Sequence, residues 1–140
     1  MHKVLVAVDG SQPSERAVEY LIDLTGRGAR SEVHLLNVQP QIPGEVRRFV
    51  TQDMIDTYHR EEGHKALEAA ERKLNAAGVA YVASVGVGHA GETIAEYVRQ
   101  QHCNAVIMGT RGLGSTRGLV LGSVATKVVH LVNVPVTLVK

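Results

Sequence analysis

The sequence predicts an α/β domain: one open, doubly wound parallel sheet with helices on both faces. Three observations lead there. Strand-like and helix-like segments alternate from end to end, and the strand-like ones are continuously apolar, as strands buried on both faces are. The chain is 140 residues long with 44% apolar residues, enough for one domain with a sizeable core and little left for a second. Right-handed crossovers between parallel strands then leave few topologies, and the open doubly wound sheet leads them.

Five strands and four helices follow in order. Lys3–Asp9 is an apolar, β-branched run that meets a loop at Asp9-Gly10-Ser11. Ser11 or Ser14 can cap the next helix, with Pro13 tolerated in its first turn. Val18, Leu21, Ile22 and Leu24 form its apolar face, and Gly26-Arg27-Gly28 stops it. Glu32–Val38 reads as strand two, and residues 39–52, with Pro40, Pro43 and Gly44, as a loop. A long helix covers Asp53–Ala77, its face marked by Leu67, Ala70, Leu74 and Ala77 and its end by Gly78. Ala80–Val87 is strand three, Glu92–Gln101 a helix, Asn104–Thr110 strand four, Ser123–Leu131 the last helix and Pro135–Val139 the last strand.

Composition excludes several classes. Cys103 is the sole cysteine, so there is no disulfide framework and no cysteine-rich zinc site. No run approaches 18 apolar residues and the apolar start is too short for a signal sequence, which makes cytoplasm the default expectation, without a membrane. The net charge of +1 hides an asymmetry: all 14 acids lie between Asp9 and Glu96, and residues 97–140 carry five Lys/Arg. Those charges are scattered and lack an aromatic platform or a basic recognition helix, so nucleic-acid binding ranks low.

Some motifs tempt without convincing. Gly86-Val87-Gly88-His89-Ala90-Gly91 matches G-x-G-x-x-G, but it follows the third strand and no acid lies beyond Glu96 to hold a ribose. It reads as a tight strand-to-helix turn. His59 and His64 are five apart on a helix, about 140° around its axis, and diverge. His102 beside Cys103 is a pair of donors rather than a metal site, and Cys103, just before an apolar strand, reads as buried. There is no serine-hydrolase elbow G-x-S-x-G and no G-x-x-x-x-G-K-S/T phosphate loop.

The informative stretch runs from Gly109 to Ser123, with five glycines in fifteen residues and a serine where the next helix begins. Glycine lets main-chain N–H groups approach a ligand closely, and the exposed amides of a helix start favour an anion. A helix dipole contributes only about 0.3–1 kcal/mol, whereas micromolar binding needs about 8. Several N–H contacts and a buried base would be required.

Gly109-x2-Gly112-x9-Gly122-Ser123 resembles the G-2x-G-9x-G-S/T nucleotide motif of the universal stress proteins. The opening Val6-Ala7-Val8-Asp9-Gly10-Ser11 with Ser14, and the closing Val134-Pro135-Val136-Thr137-Leu138-Val139, are similar to that family too, so the resemblance spans residues 1–140 as one nucleotide-binding domain. It implies a Rossmann-like sheet of order 3-2-1-4-5, with ATP near the ends of strands one and four. The implied nucleotide-binding residues are Val8, Asp9, Ser11, Val38, Met108, Gly109, Arg111, Gly112, Gly122, Ser123 and Val124. In that pattern Gly109, Gly112, Gly122 and Ser123 hold the phosphates. Asp9 meets the ribose or a phosphate-bound Mg²⁺ instead of serving only as a turn carboxylate, and Val38 receives adenine through its main chain. Arg111 and Arg117 add charge, while Gly118 lies inside the variable nine.

The function implied is that of a regulatory, stress-response module, an ATP-dependent homodimer acting through an unknown protein partner. The alternative is a slow ATPase or phosphotransferase at the same site, although no residue is placed as a general base. In the implied order Pro135–Val139 is an edge strand and a template for antiparallel pairing of two copies. Proline at Thr137 is expected to remove one N–H from that ladder.

Overall fold

The computed structural model describes residues 1–113 and 121–140, so Arg117 and Gly118 lie outside the described residues. Among those described, the elements are β1 (Lys3–Ala7), α1 (Gln12–Gly26), β2 (Glu32–Gln39), α2 (Gly44–Arg47), α3 (Gln52–Ala76), β3 (Tyr81–Val87), α4 (Ala90–Gln101), β4 (Ala105–Gly109), α5 (Ser123–Leu131) and β5 (Val136–Val139). All pairs are parallel and the order is β3-β2-β1-β4-β5. This is the doubly wound sheet expected, and its crossovers reverse direction between β1 and β4.

Period-two alternation of side chains divides the core. Val4, Val6 and Val8 face α1 and α3, where they pack with Val18, Leu21, Leu67 and Leu74. Leu5 and Ala7 face α4 and α5, with Ile94, Val98, Ala125 and Val128. Val6 and Leu5 are fully buried, one on each face. A buried Val or Leu side chain contributes about 1.5–3 kcal/mol, so the central strand anchors both layers. β3, on an edge, is only half covered, and Val82 and Val87 are exposed.

Local signals set the ends. Ser11 caps α1, its hydroxyl accepting from Ser14 N–H at 3.4 Å, and Thr51 caps α3 by accepting from Met54 N–H at 3.2 Å. Gly10, at φ 86°, turns the chain from β1 into α1 in a conformation that a side chain would strain. Gly88, at φ 145°, makes the tight turn between β3 and α4, with Gly86 still in the strand and Gly91 already in the first turn of the helix. His59 is buried and its Nε2–H donates to Pro40 O at 3.0 Å, while His64 is exposed. Cys103 is buried, and burial pushes its thiol pKa up.

Two expectations need correction. Residues 39–52 are not loop throughout, because Pro43-Gly44-Glu45 starts the single turn of α2. In β5, Pro135 O accepts from Val106 N–H and Val139 O from Thr110 N–H, each at 2.9 Å. Main-chain groups alternate sides along a strand, so Thr137 also faces β4. The outward N–H groups belong to Val136 and Leu138, and Thr137 contributes none to an outer ladder.

Candidate functional site

A cleft opens at the carboxyl ends of β1 and β4, the switch point of the sheet, where open α/β folds take their ligands. Its described lining gathers residues far apart in sequence. Val8 and Asp9 come from the end of β1, Val38 from β2, Met108 and Gly109 from β4, and Arg111 and Gly112 from the glycine segment. Gly122, Ser123 and Val124 come from the start of α5. Ten of the eleven residues named from the sequence therefore share one cavity of about 120 Å³. Ser11 is not part of it. That side chain is buried beneath the first turn of α1, where its hydroxyl serves as the cap.

Asp9 ties the two sides together. Its Oδ1 accepts from Ser11 N–H at 2.9 Å, the turn contact a carboxylate makes after a strand, and its Oδ2 accepts from Leu113 N–H at 3.0 Å. Asp9 is thus both a turn residue and the anchor of the glycine segment. Two motif glycines are required by close approach. A Cβ at Gly109 would stand 2.6 Å from Pro13 Cβ, and one at Gly112 would collide with Asp9 Oδ2. The segment is closed at its base by Gly122 N–H, which donates to Thr110 O at 2.6 Å.

The far wall begins at α5. Gly122, not Ser123, is the N-cap, and among the described residues no side chain caps the first turn. The N–H groups of Ser123, Val124 and Ala125 have no partner within the helix and stand at the positive end of its dipole. Ser123 and Val124 are exposed on the cleft rim. Lys127 pairs with Glu92 at 3.4 Å and fastens α5 to α4. The Glu92 carboxyl is held below its usual range, first by a hydrogen bond from its own main-chain N–H and then by Lys127.

The base of the cleft is apolar: Ala7, Leu36, Val38, Ile94 and Met108 line it. Val8 N–H donates to Leu36 O at 2.9 Å, which directs the Leu36 carbonyl toward β1. Two residues on, Val38 turns its N–H and C=O to the same side. The β1–β2 register has ended at Ala7↔Leu36, so those groups face the gap past β1.

Sequence reading missed Ala90, Ile94 and Leu113. The i, i+4 pair Ile94/Val98 marks the inner face of α4 but not which end stays open. Leu113 acts through its main chain, which leaves no mark on residue type.

A family model described as the universal stress protein family matches residues 1–140. The chain belongs to the universal stress protein family. It is similar to Universal stress protein YxiE of Bacillus subtilis (strain 168), at 29% identity over 99% of each chain. The solved structure of hypothetical protein MJ0577 superposes with a TM-score of 0.84 at 26% identity, over 99% of this chain and 95% of that one. Universal stress protein structures with nucleotides are also similar. One from Arabidopsis thaliana with AMP bound has a TM-score of 0.71 at 22% identity, over 100% and 92% of the two chains. One from Archaeoglobus fulgidus in complex with dAMP has 0.70 at 22%, over 100% and 98%. A third, in complex with cAMP, has 0.73 at 21%, over 99% and 97%. At these identities the last three likenesses speak for the fold. Among the described residues of this universal stress protein, no helix is long and apolar enough to cross a membrane.

Proposed function

We propose that this universal stress protein is an ATP-binding regulatory module that works as a dimer whose surface follows its nucleotide state. The gathering of ten of the eleven residues implied by the family resemblance around one cleft at the switch point carries the reading. Its cavity, about 120 Å³, is smaller than the roughly 300–1,000 Å³ of a site that swallows a whole drug-sized ligand. It suits one ring system. The base would lie among Leu36, Val38, Ile94 and Met108, and the phosphates in the mouth between the glycine segment and the first turn of α5.

The donor set agrees with a nucleotide more than with a resident metal. Asp9 is the one carboxylate of the described lining, and both of its oxygens already accept a main-chain amide. Mg²⁺ is commonly held by one or two carboxylates together with substrate phosphates, so Asp9 fits a metal that arrives with ATP. Arg111 adds a positive charge at the mouth. AMP, dAMP and cAMP are the ligands of the similar structures, which supports an adenine nucleotide here as well. The same lone carboxylate keeps slow ATP hydrolysis as the second reading, and phosphate release under saturating ATP and Mg²⁺ is its measurement.

The test has two steps. Native mass spectrometry of the purified protein is expected to show a mass excess of ATP, ADP or AMP. Titration calorimetry of nucleotide-free protein is then expected to show ATP binding at least about tenfold more tightly than GTP, the return on one or two base hydrogen bonds. Matching curves for the two nucleotides would remove the adenine preference, and no binding of either would remove the reading.

A further inference from the structure

We propose that Asn37 is the residue that keeps the main chain of β2 open to a purine. The inference rests on the nucleotide reading above and concerns how its base would be recognised. In a parallel ladder, Val8 N–H bonding Leu36 O is followed by Val38 N–H bonding Val8 O. The first bond is present at 2.9 Å, yet the register stops at Ala7↔Leu36 and the second does not form. In its place the Asn37 side chain donates from Nδ2 to Val8 O at 2.8 Å. The Val8 carbonyl, which would otherwise have captured the Val38 amide, is satisfied by a side chain arriving from the opposite face of the strand.

The orientation of Asn37 is fixed from behind. Gln39 Nε2 donates to Asn37 Oδ1 at 2.7 Å, so the oxygen of the amide is occupied and its NH₂ is aimed at Val8. Asn37 is 3% exposed, and a buried polar side chain is costly unless it is bonded. The bonds to Val8 and from Gln39 satisfy it. Side chains alternate along β2, which puts Asn37 and Gln39 on the α3 face and Val38 on the face of the cleft. The pair props the gap between β1 and β2 open from behind, without occupying the space a ligand would use. Val38 is left with an N–H and a C=O pointing into the cleft, a donor and an acceptor at one strand position. Adenine presents the ring acceptor N1 beside the amino donor N6, whereas guanine presents N1–H and O6, with the polarity reversed. Asn37 is therefore a positioning residue for base choice.

Amide exchange followed by NMR reads the effect with and without nucleotide. In the nucleotide-free wild type, Val38 N–H is expected to exchange at least about tenfold faster than Leu36 N–H, which lies inside the ladder, and to become protected when ATP is added. In Asn37→Val the ladder is expected to close, so Val38 is protected without ATP. The affinity for ATP falls about 3–10-fold, and the wild-type preference for ATP over 1-deaza-ATP, which lacks N1, shrinks to about one. Asn37→Ser, too short to reach Val8, is expected to act alike and serves if the valine variant does not fold. A Val38 amide as protected as Leu36 in the nucleotide-free wild type overturns the proposal, as does an unchanged preference in a folded Asn37 variant. A wild type that binds neither nucleotide while Val38 exchanges fast overturns the nucleotide reading and the purine role of Asn37, but leaves the open ladder standing.

Discussion

Asp9 and Gly112 act as a pair. Asp9 Oδ2 can accept the Leu113 amide only because Gly112 has no Cβ, since one built there would collide with that oxygen. Gly112→Ala forces the carboxylate to swing away and frees the glycine segment from β1. A hydrogen bond to a charged group contributes about 1.5–3 kcal/mol, so the variant should lose about 1 kcal/mol or more of stability and bind ATP at least tenfold more weakly. Thermal melting and calorimetry on one preparation measure both. Normal affinity in a destabilised Gly112→Ala would mean that the clamp holds the fold and not the site. At this scale the sequence was partly legible. The glycine spacing singled out Gly109 and Gly112, and the structure adds that Gly109 packs against Pro13 and that a side chain at Gly112 would displace the Asp9 carboxylate. Ser11, implied as a site residue by the family resemblance, lies outside the cleft lining and caps α1. What remained hidden was the amide of Leu113 on Asp9 and the Asn37 bond to Val8 O, whereas the amides at the start of α5 and the main chain of Val38 were already expected to take part.

Helices and strands were legible to within a residue or two wherever an apolar face met a recognised stop. The last helix, Ser123–Leu131, agrees to the residue, and α3 begins one residue before its expected start because Thr51 caps it. α2 escaped because its four residues, Gly44–Arg47, include no buried residue, so no periodicity announces it. α4 ends at Gln101, as expected, although no glycine or proline follows to mark the stop. His102 closes it in the left-handed conformation, φ 56°, ψ 45°, which usually falls to glycine or asparagine. An L residue there costs about 1–2 kcal/mol locally, and a glycine gives back about 0.5–1 through the freedom of its unfolded chain. His102→Gly is therefore expected to stabilise the domain by about 0.5–1 kcal/mol and to leave ATP binding unchanged, since the cleft lies at the opposite end of α4. Urea denaturation with an unchanged slope is the measurement. A loss of stability would mean that the histidine ring contributes more than its backbone costs.

For the whole molecule, the alternation of apolar strands and amphipathic helices fixed the class of sheet, while the strand order was implied only by the family resemblance, because crossovers of either direction satisfy the same hydrophobic pattern. That order leaves β3 and β5 as the edges. β5 carries no charge and no proline between Val136 and Val139, and among the described residues its outer main-chain groups, those of Val136 and Leu138, have no partner. Two copies that pair antiparallel about a twofold axis through Thr137 would set Val136 of one against Leu138 of the other, and the assembly would close at a dimer. Side chains agree with that axis. Thr137 is exposed, so the two threonines would meet at the centre, whereas Leu138 and Val136 turn toward the core beside α5. Leu138→Pro removes one outward N–H from each copy and spares the ladder to β4. Thr137→Pro would instead remove an N–H from within the chain and weaken β5 itself. Sedimentation at matched concentration is expected to give a dimer for the wild type and a folded monomer for Leu138→Pro. A monomeric wild type would end the proposal. A Leu138→Pro variant that stays folded and dimeric would move the contact elsewhere, and the edge of β3 would be the next strand to test with a proline at an outward position.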